Sequence, residues 1–176
     1  MHDNSHTIVR LPVHLPRLQQ VFYVEGEEAA ALERARRKPS MLNDYFQLNQ
    51  RREAFDILYQ NIPENFTWNN GWKKRKTKTK TIGRLHFVDP KNSELFYLRV
   101  LLLHVANATS FEHIRTVNSV QYSTFKEAAM SLGLAANDEE FKLCMEEASQ
   151  YRSPKALRAL LAILCVHCNI TNPTEL

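Results

Sequence analysis

The 176-residue chain has few glycines and few cysteines, and both shortages limit the chemistry available to it. Its four glycines are scattered, and none stands in the GxxxxGK[ST] pattern that cradles nucleotide phosphates. Its three cysteines are an odd number in helix-like sequence, which argues for a reducing compartment and against a disulfide framework. The GxSxG turn of serine hydrolases is missing too. These absences give little support to an enzyme activity within this chain.

Cysteine and histidine offer one weak metal-binding pattern. Cys165 and Cys168 are two residues apart, with His167 between them and Cys144 upstream. A structural zinc site has four ligands and a turn between paired ligands, whereas this pair ends an apolar helical pattern. The seven histidines show no HxH or HExxH grouping. Because cysteine is also an ordinary buried residue, the sequence favours neither a metal site nor a cofactor in this chain.

Long apolar runs are also missing. No stretch reaches the roughly 18 residues needed to span a bilayer, so we expect no membrane partner. The N-terminus, MHDNSHTIVR, lacks the apolar segment of a secretory signal. The hydrophobic fraction of 44% is still enough for a core.

Two domain organisations stay open: a strand and helix subdomain over 1–64 followed by a second part over 65–176, or one single domain.

Positive charge, by contrast, is concentrated in one place. The net charge is +4, and six cations lie within residues 73–80, which we call the basic tract. If the tract is extended, its even-numbered lysines form a row on one face, with Trp72 in the same register. Cations in a row neutralise phosphates and release counterions, and an aromatic neighbour can stack on an unpaired base. The predicted nucleic-acid-binding residues are Trp72, Lys73, Lys74, Arg75, Lys76, Lys78, Lys80 and Arg84.

Blander interpretations of these residues remain open at this point. The basic tract could be a solvated loop or a nuclear-localisation patch. Trp68 and Trp72 are each more often core residues than stacking platforms, by about two to one.

The residue pattern predicts an α+β fold with N-terminal strands and helices, a basic β-hairpin near 66–88 and a C-terminal helical bundle. Extended chain is expected over 7–24. The hairpin strands are expected near 66–72 and 81–88, with an unclear turn, since Asn70-Gly71 precedes the basic tract. Three helical segments are expected before the hairpin: 26–38, a helix capped by Ser40, and a continuation over 52–60.

After Pro90 the chain is predicted to be helical to its end. The centre of the chain is the stretch 83–118, which holds an apolar helix from Glu94 to Val105 and a capped restart at Thr109. Regular apolar spacing between 141 and 164 predicts helices that pack together. The predicted helix boundaries are capping boxes at Thr109 with Glu112, Thr124 with Glu127 and Asn137 with Glu140, a start at Ser153-Pro154 and an end at Gly133.

A more specific pattern lies in four successive segments: PENFTWNNGWKKRKTKTKTIGRL, FYLRVLLLHVANATSFEHIRTVN, YSTFKEAAMSLGL and EEFKLCMEEASQYRSPKALRALLAILC. In content and in order they resemble the Helitron transposon helicases, which are Pif-type ATP-dependent DNA helicases of superfamily one. The N-terminal PVHLPRLQQVFYV and RRKPSMLNDYFQLN are similar to the same family, so the resemblance covers roughly residues 10 to 170. In that family such a region lies between the replication-initiator part and the helicase core.

The resemblance implies rolling-circle transposition and DNA unwinding for a full-length family protein, with ATP and Mg²⁺ as its cofactors. Those activities need the initiator's metal motif and tyrosine nucleophiles, and the core's Walker motifs, and this chain contains none of them. The chain is expected to begin downstream of the initiator part and to end before the helicase core. Leu95 stands at a commonly basic position, and Asn107 and Ser119 stand where family members often have glycine, which implies a divergent copy.

Two functions are consistent with this resemblance. The first is an accessory or connector domain that contacts DNA, expected to be single-stranded, through the basic tract, in the nucleus, and joins the helicase core of a parent protein. The second is a protein-interaction module, or a transposon-derived remnant, that does not bind DNA. In the second case the helical faces at 95–105 and 154–168 would contact the partner.

Overall fold

The computed structural model describes residues 7–18, 26, 29, 33, 39–54, 56–134, 138–168, 170 and 172. Both helices and strands occur in this part of the chain, which confirms the predicted α+β class. The strands are β1 (Ile8–Leu11), β2 (Phe66–Trp68), β3 (Trp72–Lys74), β4 (Ile82–Leu85), β5 (Thr116–Val117) and β6 (Val120–Gln121). The α-helices are α1 (Met41–Gln50), α2 (Ile62–Asn65), α3 (Ser93–His104), α4 (Phe111–Ile114), α5 (Phe125–Ser131), α6 (Glu139–Ser149) and α7 (Pro154–His167).

The chain divides into two compact units. The first contains Met1–Phe87 and Leu102–Ile114, and the second contains Val88–Leu101 and Arg115–Leu176. The predicted boundary near residue 64 lies inside the first unit. The basic tract therefore belongs to the same unit as β1 and α1.

The N-terminal predictions can be followed only in part. β1 confirms a strand at the start of the extended segment 7–24, and residues 12–18 form no strand. The second extended run of that segment, Val21 to Val24, lies outside the described residues. The helix predicted over 26–38 also lies almost entirely outside them.

Helix α1 begins as predicted and ends earlier than predicted. Ser40 Oγ accepts a hydrogen bond from the Asn43 N–H at 3.0 Å, which caps the helix. The predicted continuation over 52–60 is wrong, because Arg52 and Asp56 both have a φ of 57°, which no α-helix accommodates. The Asp56 N–H donates to Asn107 Oδ1 at 2.8 Å. A residue distant in sequence therefore holds this segment in a non-helical conformation.

The core of the first unit contains two buried tyrosines. The rings of Tyr45 and Tyr59 lie 5.1 Å apart between centroids. Their hydroxyls donate to the carbonyl oxygens of Ile57, at 2.9 Å, and Pro12, at 3.1 Å. Burial raises the pKa of Tyr45 to about 12. Burial raises the pKa of Tyr59 as well, so both phenols stay protonated. Tyr45 connects α1 to the segment that follows it, and Tyr59 connects that segment to Pro12.

A basic hairpin forms in the predicted region, but its strands are shorter than predicted and its second strand is β3, not 81–88. β2 and β3 are antiparallel, with Trp68 opposite Trp72, so the turn is residues 69–71. Asn70 has a φ of 51° and Gly71 a φ of 151°, both in the region that these two residue types tolerate best. The Asn-Gly pair that precedes the basic tract is therefore the turn itself.

The segment expected to complete that hairpin pairs with another strand instead. β4 lies parallel to β1, with Arg10 beside Arg84 and Leu11 beside Leu85. The predicted pairing of 66–72 with 81–88 is therefore wrong. At Gly83, a Cβ would lie 2.1 Å from the carbonyl oxygen of Gln60, so only glycine lets β4 approach this backbone.

Helix α3, which lies in the second unit up to Leu101, confirms the apolar helix predicted from Glu94 to Val105. The helix is apolar on nearly all sides, which is typical of a buried helix. The ring of Phe96 stacks on that of Phe141 with centroids 6.2 Å apart. The half-buried Arg99 forms an ion pair with Glu147 on α6. α6 and α7 pack against each other, as their apolar spacing predicts.

Three of the predicted helix boundaries are confirmed. Thr124 and Glu127 form the capping box of α5. Gly133, with a φ of 75°, follows the end of α5. Ser153 caps α7, and Pro154 is its first residue.

The two other predicted capping boxes have different outcomes. At α4 the side chain that accepts a backbone N–H is that of Ser110, from His113 at 3.0 Å, one residue beyond the predicted Thr109. Asn137 lies outside the described residues, and α6 begins at Glu139.

The second unit also contains a short hairpin that the sequence reading did not predict. β5 and β6 are antiparallel, so the chain after Pro90 is not helical throughout. The two residues between these strands, Asn118 and Ser119, have φ values of 50° and 65°. Positive φ at both central positions is the requirement of a type I′ turn, for which Asn-Gly is the preferred sequence.

Ser119→Gly is therefore expected to raise the free energy of unfolding by about 1 kcal/mol, since glycine adopts positive φ without the steric cost of a Cβ. Chemical denaturation monitored by circular dichroism measures this change. Ser119→Ala keeps the Cβ and should give no gain. A glycine variant no more stable than the wild type would contradict the assigned turn.

Candidate nucleic-acid interface

The basic hairpin is attached to α1 through Trp72. The Trp72 backbone N–H donates to Asp44 Oδ2 at 2.5 Å, and its indole Nε1 donates to the Met41 carbonyl oxygen at 2.9 Å. Trp72 is buried, with 6% of its surface exposed. Trp72 therefore lies in the core, in agreement with the general burial tendency of tryptophan, and its ring is not open to a nucleic-acid base.

The neighbouring tryptophan is the more accessible one. Trp68 is half-buried, and its ring meets the Trp72 ring edge to face at 5.2 Å between centroids. Contact with the buried Trp72 ring thus holds the Trp68 ring in its orientation. Of the two rings, Trp68 is the one that a ligand can reach.

The basic tract leaves the sheet after Lys74. The chain bends at Lys76 and Thr77, so an extended strand does not continue to Lys80. The predicted row of alternate lysines on one strand face is therefore not formed. The Arg75 N–H still donates to the Asn65 carbonyl oxygen at 2.8 Å, in register with the hairpin, so the bend begins after Arg75.

Two cations of the tract have structural partners. Arg75 Nε donates to the carbonyl oxygens of Pro63 and Phe66, at 3.1 Å each, and so satisfies backbone groups at the end of α2. Lys78 Nζ lies 3.2 Å from Glu64 Oε2. These two side chains hold the tract against the unit that carries it.

The second half of the tract borders an open cleft of about 440 Å³. Its backbone is fixed by the Thr79 N–H, which donates to the Glu64 carbonyl oxygen at 3.0 Å. The hydroxyls of Thr79 and Thr81 lie 2.8 Å apart, and Thr81 is buried. The residues that line the cleft are Glu64, Lys78, Thr79, Lys80, Thr81 and Ile82.

The remaining predicted cations are exposed: Lys73, Lys74, Lys76, Lys80 and Arg84. Within the described ranges, no carboxylate lies within ion-pair distance of any of them. An anionic ligand would therefore displace only water and counterions from these side chains, and would break no protein ion pair.

Four residues that shape this surface were not among the predicted binding residues. Arg10 lies beside Arg84 in the sheet, and Glu64 holds Lys78. Asp44 fixes the hairpin backbone, and Trp68 replaces Trp72 as the accessible ring. For Asp44, a polar residue within the apolar helical pattern of 42–46 was a usable signal. Arg10 and Glu64 had none, because their partners are distant in sequence.

The two buried cysteines, Cys144 and Cys168, do not have the properties of reactive thiols. Burial raises the pKa of the Cys144 thiol to about 12 and also raises that of Cys168. Both thiols are protonated at neutral pH and therefore poor nucleophiles. No group of three or more His, Cys, Asp or Glu side chains with metal-binding geometry occurs in the described part of the chain. The described helices include none that is both long and apolar enough to span a membrane.

Comparison with known proteins identifies no family for this chain. Neither the models of known protein families nor the curated protein sequences give a match. The Helitron resemblance therefore stays a prediction, and the case for a binding surface depends on the geometry of the first unit.

The anchor of the hairpin gives a direct stability prediction. Asp44→Ala should lower the free energy of unfolding by about 1–3 kcal/mol, because the buried N–H of Trp72 loses its acceptor. Asp44→Asn keeps an oxygen acceptor of the same shape and should cost less. Urea denaturation followed by tryptophan fluorescence measures both changes. Equal stability of Asp44→Ala and the wild type would show that this contact does not hold the hairpin.

Proposed function

We propose that this chain is an accessory domain of a Helitron-like DNA helicase and that its first unit binds single-stranded DNA. The observation that carries the proposal is a fixed hairpin and tract with four exposed lysines, followed by the exposed Arg84 on β4, all five without a described acidic partner. The domain has no ATPase or nuclease activity of its own in this proposal. ATP, Mg²⁺ and strand separation belong to the helicase core of the parent protein, which acts in the nucleus.

Electrostatics favours a polyanionic ligand over a small anion. The exposed cations are spread along residues 73–84, from β3 to β4, so no single phosphate can contact all of them. A nucleic-acid backbone presents phosphates at regular intervals and releases counterions at each contact. Trp68 adds a half-exposed ring beside the cations, and base stacking on such a ring requires an unpaired base.

Backbone geometry at two departures from the family pattern supports the resemblance. Asn107 and Ser119 stand where Helitron helicases often have glycine, and their φ values are 61° and 65°. Positive φ is the conformation that glycine adopts most easily, and asparagine is the next most tolerant residue. The substitutions thus fall at positions where the backbone of this chain has the shape that a glycine would favour.

The proposal predicts a salt-dependent affinity that depends on the tract. Lys74, Lys76 and Lys80 replaced together by alanine should weaken binding to an oligo-dT strand by at least tenfold. The slope of log K against log salt should become shallower by about 2, because each phosphate contact on a single strand contributes about 0.7. Fluorescence anisotropy over a series of salt concentrations measures both quantities.

The matched control replaces the exposed Lys91, Lys155 and Arg158 by alanine. It removes the same charge from positions outside the tract, so its affinity and slope should stay close to those of the wild type. Far-ultraviolet circular dichroism checks that both variants are folded. Equal losses in the two variants, or no binding by the wild type, would contradict the proposal.

A second candidate function is protein interaction, and one observation favours it. Val166 on α7 is 77% exposed and Leu143 on α6 is 50% exposed, which leaves large apolar side chains in water. The apolar residues of α3 are mostly buried, so the face at 95–105 cannot serve as the docking surface in this conformation. The partner in this candidate is the helicase core or a second copy of the chain.

This second candidate predicts association that depends on those two side chains. Light scattering after size exclusion should show a mass above that of the monomer, or a stable complex with the helicase core. Val166→Ser with Leu143→Ser should remove either one without unfolding the chain, since both sites are exposed. A monomer that binds DNA and does not bind the core excludes this function.

A further inference from the structure

The parallel sheet of the first unit has one buried face and one exposed face. Leu11 and Leu85 are register partners and both are buried. Side chains alternate along a strand, so the preceding residues Arg10 and Arg84 point to the opposite side, and both are exposed. Ile8 and Ile82, which lie two residues before Arg10 and Arg84, share this exposed side. We call the exposed set Ile8, Arg10, Ile82 and Arg84 the arginine platform.

Two like charges lie next to each other on this platform. Arg10 and Arg84 are register partners on neighbouring strands, which lie about 4.8 Å apart in a sheet. Like charges directly opposite each other destabilise a strand pair. Within the described ranges, no carboxylate lies at ion-pair distance from either guanidinium. An anion bound between them would remove this repulsion, and a phosphate accepts hydrogen bonds from both guanidinium groups.

The platform also contains apolar surface. Ile8 is 46% exposed and Ile82 is 42% exposed, again as register partners. Phosphate alone gains nothing from such a surface, and the bases of a duplex keep their faces stacked. Unpaired bases have free apolar faces next to the phosphates. A surface with both guanidinium groups and exposed isoleucines therefore fits a single strand better than a duplex or a free anion.

The platform is continuous with the surface already described. Lys80 and Thr81 lead directly into β4, so the tract ends where the platform begins. Ile82 belongs to the platform and also lines the cleft that Lys78 and Lys80 border. The tract and the platform thus meet at Ile82, where a bound DNA strand can contact both.

We propose that the arginine platform is a second contact surface for single-stranded DNA, in which Arg10 and Arg84 bind backbone phosphate and Ile8 and Ile82 contact unpaired bases. This inference rests on the proposed function, and it extends the binding surface to β1. Arg10 is a binding residue in this proposal although it lies far from the basic tract in sequence.

The experiment compares three variants of the full chain with the wild type in anisotropy titrations against oligo-dT. Arg10→Ala with Arg84→Ala should weaken binding severalfold and make the salt slope shallower by about 1.4, for two single-strand phosphate contacts. Ile8→Ser with Ile82→Ser should weaken binding with an unchanged slope. Lys155→Ala with Arg158→Ala removes the same charge as the first variant and should change neither quantity. Circular dichroism and thermal unfolding check that each variant is folded.

The outcomes separate this inference from the proposed function. If the tract variant loses binding while the arginine variant keeps the wild-type affinity and slope, the platform proposal is overturned and the proposed function stands. If the wild type does not bind DNA, both fail. If a duplex competes as well as a single strand and the isoleucine variant binds normally, the platform proposal is overturned as well. Should a platform variant unfold, Arg10→Gln with Arg84→Gln replaces it, with the same expected slope.

Discussion

The geometry of the basic surface depends on one buried contact, between the Asp44 carboxylate and the Trp72 N–H. A buried carboxylate is costly unless it is hydrogen-bonded, and the hairpin backbone supplies that bond. The same tryptophan donates its indole N–H to the carbonyl of Met41, so α1 holds both the backbone and the side chain. Because β3 is fixed at Trp72, the lysines that follow leave the core at a defined position. A cationic segment that would otherwise be a solvated loop thereby becomes a surface of fixed shape.

The cations of that segment divide into two groups with different tasks. Arg75 and Lys78 are bound to backbone carbonyls and to Glu64, and they hold the tract in place. The other lysines and Arg84 are exposed. This division matters for the proposed function, because a charge already paired within the protein would lose that partner on binding a phosphate. The exposed group has no such partner among the described residues, so it contributes most of the expected affinity and its salt dependence.

Local signals in the sequence predicted the local structure well. Ser40, Thr124 and Ser153 cap helices because a side-chain oxygen satisfies N–H groups within three residues of it. The apolar character of the α3 segment predicted its burial, because a helix without a polar face has no side suited to water. Predictions failed where a distant residue decided the outcome. The segment after α1 is held by Asn107, and β4 pairs with β1 instead of extending the hairpin.

The α+β class, several helix boundaries and the concentration of positive charge ahead of a buried helix could all be predicted from the sequence. These properties depend on neighbours in the chain, and residue type and spacing are enough to specify them. The available binding groups became visible only in the folded chain, which buries Trp72, pairs Lys78 with Glu64 and brings Arg10 beside Arg84. The physical reason is that strand pairing and ion pairing depend on distance in space. A list of residues does not contain that distance until the chain has folded.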